Sequence, residues 1–298
     1  MTPRRLTLTV APGPEGRTVN DLLRRELGLS GTLIKRAKQT PGGVLLDGEP
    51  VFVTVRVREG QALSVQVGDT RAGEEIRPAP GPLDIVYEDE DILILNKPAR
   101  VAVHPGPGHD GDTIGNFLAD YYQKTGQTAR FRPVNRLDRG TSGLMCVAKH
   151  AYAHEKLKGQ LHTPQFRRTY LAVCQGVPDP PQGVVDAPIG RAEGSLLKRE
   201  VRPDGAAACT HYALVSAAGG RSLVRLVLET GRTHQIRVHM AHLGCPLVGD
   251  FLYGREEAAL PRRTALHAWE LSLRHPVTGQ ALRWTSPLPE ELSALLGE

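Results

Sequence analysis

Cysteine is scarce in this chain: four among 298 residues, at positions 146, 174, 209 and 245, with no Cys-x-x-Cys pair. That spacing argues against a secreted disulfide framework and against the common structural zinc sites. No apolar stretch approaches the length of a membrane span, and the opening Met1-Thr2-Pro3-Arg4-Arg5 lacks the apolar core of a signal peptide. Internal repeats and low-complexity tracts are missing too. The expectation is a cytoplasmic protein with reduced thiols.

What is present is an ordinary globular composition, 40% hydrophobic and 23% charged. The length suits one large domain plus a small one, with a core that needs no staples. A net charge of +5 suggests a polyanionic partner, a signal with little weight until the charges fall on one face.

Residues 1–67 read as an α+β module. Val19, Leu22, Leu23 and Leu27 recur at helical spacing, with Thr18 as N-cap and Gly28 past the end. A second helix starts near Ser30, turns Leu33, Ile34 and Ala37 inward, and stops at Pro41. Its outer face carries Lys35, Arg36 and Lys38. Strands are expected at Val44–Leu46, Val51–Val57 and Leu63–Val67, with Asp47-Gly48 as a tight turn between the first two. The basic trio reads either as a solvated helix face or as a cationic helix presented to RNA. Residues 68–82, rich in Pro and Gly and without periodicity, read as a linker. A larger body follows over 83–298, with strands at Leu83–Tyr87, Ile92–Leu95, Thr169–Cys174, Ala213–Ser216 and Leu223–Glu229. Helices are expected near Thr113–Lys124 and Ala151–Leu161.

The segment from Asn135 to Gly143, Asn-Arg-Leu-Asp-Arg-Gly-Thr-Ser-Gly, sets Asp138 between Arg136 and Arg139 on a Gly-rich loop. It is either a nucleophilic carboxylate kept ionised by cations or a surface turn ahead of a strand. On spacing alone the turn is the better reading. Asn96-Lys97-Pro98 and Val103-His104-Pro105-Gly106 end a buried strand in a rigid loop, where a scaffold places functional side chains. Tyr170 shares a strand face with Ala172 and Cys174, as a core residue or as a platform for a base. In Thr230–His239 a strand leads into a helix with Thr233 as N-cap. There Ile236, Met240 and Leu243 face inward, and Arg237 beside them needs an anionic partner. His234, His239 and His242 have no carboxylate or cysteine at matching spacing, so no metal is assigned.

Three segments, Arg136–Gly143, Arg168-Thr169-Tyr170 and Gly231–Arg237, resemble in order the signature segments of the RluA-type pseudouridine synthases. Asn96-Lys97-Pro98 and His104-Pro105 precede them, and Gly249-Asp250 to Tyr253-Gly254 follow. The pattern from Arg17 to Val67 resembles an S-four-like RNA-binding domain. The resemblance implies a uridine-to-pseudouridine isomerase needing no cofactor. It implies Asp138 as the essential carboxylate, Tyr170 as the residue stacking on uracil, and Arg237 as the ion-pair partner of Asp138. It also implies that Arg136 enters the space left by the flipped nucleotide. Lys35, Arg36, Lys38 and His104 are expected to meet RNA. Many relatives have His where Asn135 stands, so contacts to the flipped strand are expected to differ there.

The implied fold is α+β, a mixed and mainly antiparallel sheet flanked by helices and crossed by a cleft. The implied target is large-subunit ribosomal RNA or its precursor particle, and a monomer is the default. Two other readings stand beside this one. A binding factor that kept the scaffold has no physical need for Asp138, Tyr170 and Arg237 together. A glycosidase-like hydrolase requires a second carboxylate that the segments do not supply.

Overall fold

Thr18 opens the first helix because its hydroxyl accepts the Asp21 N–H, while the Asp21 carboxylate accepts the Thr18 N–H in return. The computed structural model describes residues 3–13, 16–70, 73 and 76–297. Four positions of the 68–82 segment, at 71, 72, 74 and 75, therefore lie outside the described residues.

In the N-terminal module, α1 (Val19–Arg25) and the Ser30-capped α2 (Gly31–Gln39) bury Val19, Leu22, Leu23, Leu33, Ile34 and Ala37. They pack on a sheet of β1 (Arg5–Thr9), β2 (Val44–Leu46), β3 (Glu49–Pro50) and β4 (Ala62–Gln66), ordered β1-β4-β2-β3. Asp47 and Gly48 both have positive φ, as the tight turn requires, and set Leu46 opposite Glu49. Two expectations fail here. The run Val51–Val57 is not a strand, because its carbonyls and amides bond the entry to α1. Val55 and Val53 accept from Val19 and Asn20, and Val57 donates to Arg17. The free edge of β4 is filled instead by β1, which sequence reading did not anticipate.

The body forms a nine-stranded sheet. Its strands are β5 (Ile85–Glu88), β6 (Ile92–Lys97), β7 (Ser142–Ala148), β8 (Arg167–Gln175), β9 (Gln182–Asp186), β12 (Cys209–Ala218), β13 (Arg221–Leu228), β14 (Leu266–Arg274) and β15 (Ala281–Thr285). They run in the order β5-β6-β7-β14-β8-β13-β12-β9, with β15 paired to β14; only β7 and β14 are parallel. A separate ribbon joins β10 (Ile189–Arg191) to β11 (Arg199–Val201). The helices are α3 (Ile114–Lys124), α4 (Ala151–Gln160), α5 (Gln235–His242) and the short α6 (Glu290–Ser293). The fold is thus α+β with a mainly antiparallel sheet.

Period-two alternation splits the strands between two cores. Leu93, Leu95, Met145, Val147, Tyr170, Ala172 and Cys174 face α3 and α5, whereas Ile92, Ile94, Leu144 and Cys146 face α4. Helix α4 also carries the module. Tyr152 is buried in the module's core and donates to the Leu27 carbonyl at 2.9 Å, and Ser30 donates to Glu155 at 2.7 Å. No helix among the described residues is long and apolar enough to cross a membrane.

Candidate active site

The loop ahead of β7 is tied down at both ends. Asn135 Oδ1 accepts the Cys146 N–H at 2.8 Å, Leu137 is buried in the core, and the Thr141 N–H bonds the Asp138 carbonyl at 3.0 Å. Gly143 then enters the parallel pair with φ +109; a Cβ there would stand 2.4 Å from the Ala268 carbonyl oxygen. The anchored loop sends Arg136 outward and leaves Asp138 with a 32% exposed side chain.

Neither flanking arginine holds that carboxylate. Arg139 donates to the Arg100 carbonyl at 3.1 Å, and Arg136 has no hydrogen-bond partner among the described residues. The cation comes from α5. Arg237 Nη1 lies 3.1 Å from Asp138 Oδ2, while Nε and Nη2 bond the two Asp250 oxygens at 2.7 and 2.8 Å. The rings of Tyr253 and Phe251 stack on this guanidinium at 5.1 and 5.9 Å. Burial alone would lower the Arg237 pKa, but the hydrogen bonds and charge of Asp250, with Asp138, raise it instead.

Asp250 is fully buried and also accepts the N–H groups of Leu252 and Tyr253. Reading the sequence foresaw an acid for Arg237 but named only Asp138. The stronger, bidentate partner is Asp250.

Helix α5 does not start on a Thr233 hydroxyl. The exposed Thr233 makes no cap, and the N-cap is His234 in the left-handed region at φ 59, ψ 17. Gln235 closes the loop: its Oε1 accepts from the Arg232 N–H and the Thr230 hydroxyl at 2.9 and 2.8 Å. The His234 ring is thereby turned toward Asp138, with Nε2 3.9 Å from Oδ2. His239 spends both ring nitrogens on Thr210 and Ala187.

A cleft of about 820 Å³ lies over these groups, lined by Asp138, Arg136, Tyr170, Arg237, His234 and His104 among others. Tyr170 is buried in its wall, and burial first, then the charge of Asp138, push its phenol pKa up while Arg168 opposes. Its neighbours Ala172 and Ala268 are small, and on its other side it pairs with Leu226. His104 sits exposed on the rim with its ring edge-on to Phe131 at 5.0 Å. Arg132, Lys158, Arg168 and Arg232 add positive charge around the opening. Arg168 and Arg232 fall in the signature-like segments, whereas Arg132 and Lys158 stand in no pattern.

Lys35, Arg36 and Lys38 lie on α2, away from the cleft. Lys35 and Lys38 are exposed, whereas Arg36 pairs with the buried Asp69, which Arg132 also holds at 2.6 and 3.0 Å.

Residues 91–242 match the RNA pseudouridylate synthase family. An RNA pseudouridine synthase of Bacillus subtilis, YjbO, is 43% identical over 91% of this chain and 95% of its own length. The chain belongs to this family. It is an isomerase that converts uridine in RNA to pseudouridine. A synthase of Nitrosomonas europaea, ribosomal large subunit pseudouridine synthase D, is 40% identical over 85% of this chain and 76% of its own. The solved human RNA pseudouridylate synthase domain containing 4 superposes with a TM-score of 0.59 at 26% identity, covering 72% of this chain and 92% of that one.

Within this synthase, Asp138, Tyr170 and Arg237 fall inside the matched region, while Asp250 and Tyr253 lie beyond it. Asn135 is buried, its Oδ1 clips the loop to β7, and its Nδ2 has no partner among the described residues.

Proposed function

We propose that this synthase isomerises uridines of large-subunit ribosomal RNA with Asp138 as the attacking carboxylate. The observation that carries this is the half-exposed Asp138, the carboxylate held by Arg237 at the floor of a cleft whose wall is Tyr170. A uridine within a stack has to be extruded to reach it, at a cost of about a few kcal/mol. Arg136, exposed and without a hydrogen-bond partner among the described residues, is the side chain that fills the space left behind, since its planar cation stacks on bases and pairs with phosphate.

The reaction breaks the bond from the ribose C1′ to N1 and forms one to C5. The C5 proton is lost and N1 ends protonated, so product and substrate are isomers. Tyr170 stacks on the detached uracil and keeps it in the cleft while it turns. Arg237 fixes the direction of the carboxylate throughout.

The ribosomal target is supported by the relatives named for the large subunit and by the N-terminal module, whose two helices and small sheet fit an S-four-like domain over 1–67. Residues 68–82 are then the linker and 83–298 the catalytic domain. The module adds affinity for a structured site by tethering. Such a substrate is met in the cytoplasm, the compartment proposed for the enzyme.

The test is tritium release from large-subunit RNA transcripts labelled at uridine C5. The wild-type protein releases label without added cofactor; Asp138→Asn releases none yet binds the transcript equally. Turnover by Asp138→Asn defeats the assignment.

A further inference from the structure

We infer that His234 is a positioning residue for the isomerisation: as a neutral imidazole with its hydrogen on Nε2, it shares Asp138 Oδ2 with Arg237 and leaves Oδ1 to meet the nucleotide. This rests on Asp138 being the attacking carboxylate.

The hydrogen placement follows from a chain of donors. The Arg199 N–H donates to Tyr253 Oη at 2.8 Å, and Tyr253 Oη lies 2.8 Å from His234 Nδ1. The phenol hydrogen has no other acceptor among the described residues, so it goes to Nδ1. A neutral imidazole that accepts at Nδ1 carries its own hydrogen on Nε2, the nitrogen 3.9 Å from Asp138 Oδ2. That separation is too long for a hydrogen bond and short enough for the N–H dipole to bias the carboxylate. Burial first, and then Arg237 and Arg199, hold the imidazole below its usual pKa against the pull of Asp138 and Asp250.

Two further observations point the same way. Arg237 Nη1 also addresses Oδ2, and Oδ1 has no hydrogen-bond partner among the described residues. His234 adopts φ 59, ψ 17 without making a cap, a backbone state uncommon for a residue with a Cβ. The surroundings hold it there with its ring against Tyr253, at 5.6 Å between centroids.

Single-turnover rates and RNA affinity, measured with excess enzyme on a large-subunit transcript, test this. His234→Gly suits the positive φ and removes only the ring. Its isomerisation is expected to slow by up to about 100-fold with RNA affinity unchanged. Tyr253→Phe keeps the ring over Arg237 but removes the hydroxyl that fixes the tautomer, and is expected to slow the step less. The double variant should be no slower than His234→Gly. A wild-type rate in His234→Gly or in Tyr253→Phe, a loss confined to affinity, or losses that multiply in the double variant would each overturn the inference. Asp138→Asn in the same assay separates the two claims. Its inactivity beside an unaffected His234→Gly leaves the carboxylate assignment standing and removes only the role of His234; an active Asp138→Asn removes both.

Discussion

Arg237 reaches Asp138 with a single nitrogen, Nη1 at 3.1 Å, and commits the other two to Asp250. The arrangement divides labour between two acids. Asp250 is fully buried and neutralises a buried guanidinium, while Asp138 is left partly exposed and attached at one oxygen only. A carboxylate clamped at both oxygens would be well oriented but masked.

Replacing Asp250 by Asn keeps an acceptor for the Leu252 and Tyr253 N–H groups and removes only the charge. Breaking a buried pair from one side costs about 3–5 kcal/mol, because the remaining cation has lost its partner and cannot return to water. Chemical denaturation of Asp250→Asn should show a loss at the lower end of that range, since Asp138 still faces Arg237. Isomerisation should fall as well, because the guanidinium is free to turn both its nitrogens onto Asp138. Unchanged stability would mean that Asp250 is not the charge that keeps Arg237 buried.

Some of this was legible in the chain and some was not, for local reasons. The starts of α1, α2 and α3 could be read because Thr18, Ser30 and Thr113 each stand directly before an apolar periodic run and do cap it. The start of α5 misled because no side chain caps it; Gln235 instead reaches back to tie the preceding loop through the Arg232 N–H and the Thr230 hydroxyl. β1 escaped although its pattern was legible: Leu6, Leu8 and Val10 face the module core and alternate with Thr7 and Thr9, as a half-buried edge strand requires. Val51–Val57 looked like a strand because β-branched spacing does not reveal that its backbone groups bond a helix entry. At the site, Asp138, Tyr170 and Arg237 sit in segments that resemble the family's signature in order, and so do Asp250 and Tyr253. What the sequence did not mark is the pairing, because Asp250 and Tyr253 meet α5 from an irregular stretch without periodicity.

Lys97 ends β6 near the Asp138 loop, almost wholly buried, with Nζ donating to the carbonyls of Pro98 and Val101 at 2.7 and 2.8 Å. Burial, reinforced by Arg263 and opposed by Asp138, pulls its pKa from 10.5 down to about 7. The neutral amine still has two hydrogens for those two carbonyls. Between pH 7 and 10.5 the unfolded chain binds a proton that the folded one lacks, so this group makes stability rise with pH across that window. Below pH 7 both states are protonated and the burial penalty is complete. Lys97→Met should therefore lose part of the wild-type rise in unfolding free energy between pH 7 and 10. Parallel curves for the two proteins over that range would contradict the assignment.

Of the three basic residues on α2, Arg36 differs from its neighbours because Asp69 already neutralises it, and Asp69 is shared with Arg132 at the cleft. Lys35 and Lys38 are exposed and have no such partner among the described residues. If the module docks α2 on the RNA backbone, each free lysine releases counterions on binding and Arg36 releases few. Replacing a phosphate-contacting lysine weakens binding about equally across sequences and lowers the salt slope by about 1. Lys35→Ala with Lys38→Ala should therefore flatten the plot of log affinity against log salt by about 2. Arg36→Ala should leave that slope nearly unchanged and instead lower thermal stability, because Asp69 is fully buried and would keep Arg132 alone. Equal slopes for wild type and the double lysine variant would remove α2 from the RNA interface, and a large slope change in Arg36→Ala would show that its pairing with Asp69 opens on binding.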